Sequence, residues 1–212
     1  MSLPFTEIPF TYTMSAFLLT AGIIGLTSRN FYNKLRFHPY AVFRGDRTHT
    51  LLTSAFIHNN LLHLLFNTYI FYLMSYDIEY VLLDDYPKWA VILFMAGFFC
   101  SATVAINLFN GWFHKHDFKW TSAGSSGAVM AFVTFSTIYK PLDHLAIEVS
   151  LSPIYYSYHF CLAFLTITFL FTFIRSRHNH YAHFYGSIFG ILMAVTIRPF
   201  LLIELLSHFK KT

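Results

Sequence analysis

The sequence is short of charge. Charged residues make up 11% of its 212 positions, less than half of the roughly 25% usual in soluble domains. A chain so poor in charge cannot cover a water-facing surface, so lipid is the expected solvent for most of its exterior. Only two cysteines occur, Cys100 and Cys161, both inside apolar runs, where they read as small buried residues rather than a structural disulfide. There is no basic stripe and no nucleic-acid motif, which excludes that class of partner. No repeat and no low-complexity tract is present. The first ten residues lack the basic region of a cleavable signal, so the apolar run after them is expected to be a first membrane helix.

What is abundant is apolar surface, at 56% of the residues. Six apolar stretches can be marked, at about residues 12–27, 51–76, 89–109, 122–139, 154–174 and 181–197 or beyond. A membrane helix needs roughly 20 apolar residues, and a lone apolar segment in lipid must satisfy its own backbone hydrogen bonds. The fold class expected is therefore an all-α membrane protein with six transmembrane helices. The length suits a single domain, residues 1–212. The longest connection, residues 28–50, mixes Phe31, Tyr32, Leu35, Phe37, Tyr40, Val42 and Phe43 with basic residues, a composition that suits a loop lying partly in the interface.

Charge placement bears on orientation. Nine basic residues fall in the odd-numbered loops and five in the even loops and termini, for a formal net charge of +4. The positive-inside tendency would put the odd loops in the cytoplasm.

Polar residues inside apolar stretches are costly and need a reason. The second stretch holds His58, Asn59, Asn60, His63 and Asn67; the fourth opens with Gly124-Ser125-Ser126-Gly127; the sixth opens with His183, Gly186 and Gly190. His63 and Asn67, four apart, share a helix face. His183, Gly186 and Gly190 share a stripe whose small residues let a neighbouring helix approach. The second, fourth and sixth stretches run in one direction, and each is expected to end at a charged residue: Asp77, Lys140 and Arg198. Counted back from these, His63, Ser126 and His183 each lie about 14–15 residues away, roughly 21–23 Å at 1.5 Å per residue. A common level below the opposite boundary follows. Sites so deep need water, which calls for a cavity opening toward the odd loops, lined on the way in by His58, Asn59 and Asn60.

Each group also has an ordinary reading. The Gly-Ser-Ser-Gly run could be small-residue packing or a helix N-cap; His183 could be an interhelical donor, and His63 with Asn67 polar glue between helices. Together they are the minimum parts for acyl transfer: a hydroxyl, a base and two side-chain donors, with the hydroxyl at a helix start whose free N–H groups favour an oxyanion. The pairs His114/His116 and His178/His180 are weak as metal sites, and no Cys cluster or His-Glu-x-x-His helix accompanies them. Neither a metal nor another cofactor is expected.

The residues resemble the rhomboid intramembrane serine proteases. Leu51–His58 (LLTSAFIH) followed by His63-Leu64-Leu65-Phe66-Asn67 looks like that family's second helix. Gly124-Ser125-Ser126-Gly127 matches its GxSG motif, and Ala182-His183 through Gly186 to Gly190 matches its AHxxGxxxG motif. The resemblance covers roughly residues 51–198. It implies a rhomboid-like bundle with Ser126 as nucleophile, His183 as base, and His63 and Asn67 as oxyanion donors. His58, Gly124, Gly127, Gly186 and Gly190 would support the site. It implies single-span membrane proteins as substrates, within a lipid bilayer, and a site open to the non-cytoplasmic side, against the charge count. The sequence departs from the family at His49 and Thr50, where Trp-Arg is frequent, at Met130, where an aromatic residue is, and at Ala131, where glycine is. A non-catalytic rhomboid-like protein that binds or escorts membrane helices is the alternative. A transporter ranks last, since the apolar run at residues 128–138 offers no polar path onward.

Overall fold

Backbone groups in an apolar solvent must bond within their own segment, and this chain answers with helices. The computed structural model describes residues 5–143, 156–174 and 179–210. Among them stand α1 (Pro9–Thr27), α2 (Arg29–Leu35), α3 (Pro39–Val42), α4 (Thr50–Thr53), α5 (Leu61–Leu83), α6 (Lys88–His114), α7 (Ser126–Tyr139), α8 (Ser157–Phe171), α9 (His180–Ile197) and α10 (Leu201–Phe209). The one extended pairing among the described residues is a bridge between Phe37 and Ser122.

The expected helices form, with two corrections. The stretch at residues 51–76 is not one helix: α4 passes into a 3-10 turn at Ser54–Phe56, Ile57 is extended, and α5 starts afresh at Leu61. Asn60 causes the restart by capping α5, its side-chain oxygen accepting from the His63 N–H at 2.8 Å. His58 therefore precedes the helix that carries His63. Nor does Asp77 end α5, which continues to Leu83, because Asp77 finds a polar partner, the Ser136 hydroxyl of α7. The level counted back from Asp77 is thus misplaced, whereas α7 and α9 do stop immediately before Lys140 and Arg198.

By length and composition α1 and α6 are each able to cross a membrane; α9 and α10 together pass the same test but are bent by 98°. At 14 residues, α7 spans only about 21 Å, short of the ~30 Å hydrocarbon core. It is nevertheless the central helix. Ten of its fourteen residues are buried, and α5, α6, α8 and α9 all pack on it. The core is aromatic: Phe71, Phe98, Phe99, Phe132 and Phe135 are fully buried, with Phe98 and Phe132 stacked at 4.5 Å. Large apolar side chains face outward on α1 (Phe17, Ile23), α6 (Leu93), α8 (Leu162, Leu170) and α9 (Leu192), the inverse of a soluble helical bundle.

Three polar devices fix the bundle. Glu79, buried on α5, accepts from the Phe10 and Thr11 N–H groups (3.0 and 2.8 Å) and the Thr11 hydroxyl (2.7 Å). It satisfies free donors at the start of α1 with a charge that suits a helix N-terminus. Arg198 donates to the Tyr139 carbonyl at the end of α7 and to Glu204 Oε2 at 2.8 Å, which pins the bend between α9 and α10. The connection at residues 28–50 docks onto α6 and the segment before α7. Phe37 is fully buried beside Gly111 and Trp120, and its backbone exchanges hydrogen bonds of 2.9 and 3.1 Å with Ser122.

Candidate active site

The site is built where α7 and α9 come closest. A Cβ placed on Gly186 would collide with the Gly127 carbonyl, its carbon 3.0 Å away, and one on Gly190 would lie 2.8 Å from the Ala131 carbonyl carbon. The absence of side chains at these two positions lets the helices touch backbone to backbone. In the same contact, a Cβ on Gly127 would sit 3.3 Å from the Ala182 carbonyl oxygen. The residue after Ser126 is thereby set against the residue before His183.

Above this crossing lies a cavity of about 380 Å³, lined by Ser126, His183, His63, Asn67, Gly124 and Gly127 among others. Ser126 and His183 are half-buried, as is His63, while Asn67 is buried. Ser126 is the first residue of α7, and no side chain caps that end, so the first-turn N–H groups carry the helix's positive dipole end beside the cavity. Asn67 spends one amide N–H on the His63 carbonyl, at 2.7 Å, and its second remains for other use.

The loop before Ser126 is held from both sides. Gly124 has φ +123°, a conformation that disfavours any side chain, and a Cβ there would lie 2.8 Å from the His63 ring. Its N–H donates to the Ser54 carbonyl at 2.9 Å. His58, fully buried, contacts Ser125 through Nε2, 3.2 Å from Oγ and 3.4 Å from the backbone N–H that donates to it. The expectation that His58 lines the entry is corrected: it lies beneath the loop, edge-on to the His63 ring at 5.1 Å. Asn59 lines the cavity and its Oδ1 accepts from the Tyr32 hydroxyl at 2.6 Å, whereas Asn60 is used up as the α5 cap.

The Rhomboid domain pattern matches residues 45–200, about three quarters of the chain. The chain belongs to the rhomboid family. It is a rhomboid-family integral membrane protein, and its apolar exterior is consistent with that solvent. No curated protein matches it.

This rhomboid's cavity also includes Asn107, Trp120 and Tyr181, which the sequence did not single out, and His114, which it offered only as a weak metal pair. Asn107 carried a signal, being polar inside an apolar stretch; its amide donates to the Leu51 carbonyl (2.8 Å) and Ser54 Oγ (3.0 Å). His114, the last residue of α6, stacks on Trp120 at 4.1 Å, an arrangement across the five residues between them that no local pattern shows. Met130, where rhomboids often have an aromatic residue, lines the cavity and packs against Gly186. Residues 175–178, and with them His178, lie outside the described residues, as does the start of the fifth stretch.

Proposed function

We propose that this rhomboid is an intramembrane serine endopeptidase that cuts single-span membrane proteins. The observation that carries the reading is the shared cavity: Ser126, His183, His63 and Asn67 all line it. The bundle would cross the bilayer six times with α1, α5, α6, α7, α8 and α9, and the cavity would open to the non-cytoplasmic side.

In the proposed reaction, Ser126 Oγ attacks the carbonyl carbon of the scissile peptide while His183 takes the hydroxyl proton. The oxyanion is received by the side chains of His63 and Asn67 and by the uncapped N–H of Ser126. Collapse expels the amine, which takes the proton from His183. Water then attacks the acyl-enzyme, again deprotonated by His183, and Ser126 is released. A substrate helix hides its carbonyls in its own hydrogen bonds, so helix-weakening residues near the membrane surface favour cleavage. By family resemblance, a small residue precedes the cut.

The test uses the full-length protein, purified free of other proteases and mixed with a single-span reporter. Cleavage by the wild type and its loss in Ser126→Ala, at an unchanged melting temperature, is the expected result. Equal turnover by Ser126→Ala overturns the assignment. A wild type that binds the reporter without cutting it favours a holding or escorting role.

A further inference from the structure

A second recess, of about 490 Å³, lies on the connection between α1 and α4 and is lined by Asn30, Asn33, Lys34, Arg47 and His49. Each of these five side chains carries a hydrogen-bond donor, and no carboxylate lines the recess among the described residues. The connection holds Arg29, Lys34, Arg36, Arg44 and Arg47 against a single acid, Asp46. None of those five cations has a carboxylate within ion-pair distance among the described residues.

Arg47 is held for this place. It has φ +53°, in the left-handed region that a residue with a Cβ rarely adopts. One of its terminal nitrogens, Nη2, is shared among the carbonyls of Asn33, Lys34 (3.2 Å) and Arg36 (3.3 Å), at the end of α2. His49 Nε2 lies 3.1 Å from the same Lys34 carbonyl. Arg47 Nε and Nη1 make no hydrogen bond among the described residues, so the guanidinium is fixed at one corner with N–H groups to spare. That geometry suits an oxyanion with several acceptor oxygens.

Depth names the source of that anion. The last large apolar side chains exposed on α1 are Ile23, Ile24 and Leu26, and the exposed surface turns polar from Thr27 on to Arg29 and Asn30. Asn30 follows Leu26 by four positions, across the break at Ser28 where α1 gives way to α2, so the recess adjoins the end of the apolar surface of α1, the level of lipid headgroups. We propose that this recess binds the phosphate of an anionic phospholipid headgroup and seats the connection in the membrane surface. The excess of basic residues on this connection is then a lipid site. The inference does not rest on catalysis.

The experiment titrates the full-length protein in neutral detergent with phosphatidylglycerol, phosphatidylcholine and inorganic phosphate, reading bound adducts by native mass spectrometry. Tighter binding of phosphatidylglycerol than of phosphatidylcholine is expected, weakened about tenfold by Lys34→Ala and further by Lys34→Ala/His49→Ala. Lys34→Arg should retain it. These variants leave Arg47 and its carbonyl contacts in place, so an unchanged melting temperature separates lost binding from lost folding. Equal binding of the two lipids, or no effect of the double variant, overturns the proposal. Inorganic phosphate binding as tightly as phosphatidylglycerol assigns the recess to free phosphate and overturns the lipid assignment.

Discussion

Gly186 of α9 lies directly against the carbonyl of Gly127 on α7, so close that a single added carbon has no room. This contact sets the distance between the two helices whose first turns carry Ser126 and His183. Ser126 directly precedes Gly127 and His183 lies one turn before Gly186, so a shift at Gly186 is a shift at the site.

Gly186→Ala should therefore act on stability and on activity together. Overpacking a close contact costs typically 1–3 kcal/mol, and the backbone carbonyl it meets cannot rotate away. The expected outcome is a lower melting temperature in detergent and a loss of reporter cleavage larger than the loss of folded protein. Gly97, whose position has nothing within 4 Å, is the control: Gly97→Ala should leave both unchanged.

Removing an oxyanion donor should reduce turnover without unfolding the protein. His63→Ala and Asn67→Ala are each expected to slow cleavage by about 10²–10³, read as kcat with purified protein and reporter. Asn67→Asp keeps the size and removes both donors, including the one given to the His63 carbonyl, so it should be as slow as Asn67→Ala and shows that the donors, not the volume, matter.

Glu79 holds α1 to α5 through three accepted hydrogen bonds in a buried setting. Glu79→Ala strands those donors, at a cost of about 1–3 kcal/mol for a buried unsatisfied group. Thermal unfolding should shift downward accordingly, and hydrogen exchange should rise first at the Phe10 and Thr11 amides. Unchanged exchange there would show that the carboxylate does not cap α1.

Much of this was legible in the sequence, for physical reasons. Lipid forces helices, so an apolar stretch predicts a helix, although by length and composition only α1 and α6 each suffice to cross a membrane. Gly186 and Gly190 announce a close crossing because only a missing side chain permits one. Polar residues where lipid should be, such as His63 and Asn67, flag themselves by cost. What was not legible depends on partners distant in sequence. Asn60 looks like any polar residue until its side chain is seen capping α5, which breaks the second stretch and drops His58 beneath the loop. Asp77 reads as a helix end until Ser136 is found beside it. The sharp turn to α10 rests on Arg198 meeting both Tyr139 and Glu204, a choice that no periodicity encodes.

The central claim is that Ser126 is a nucleophile activated by His183, and its most direct test is labelling by a fluorophosphonate probe with mass-spectrometric assignment of the modified residue. The account predicts a single adduct on Ser126 in the folded wild type and its absence in His183→Ala at an unchanged melting temperature. An unlabelled Ser126 in folded wild-type protein, or equal labelling when His183 is removed, would contradict it.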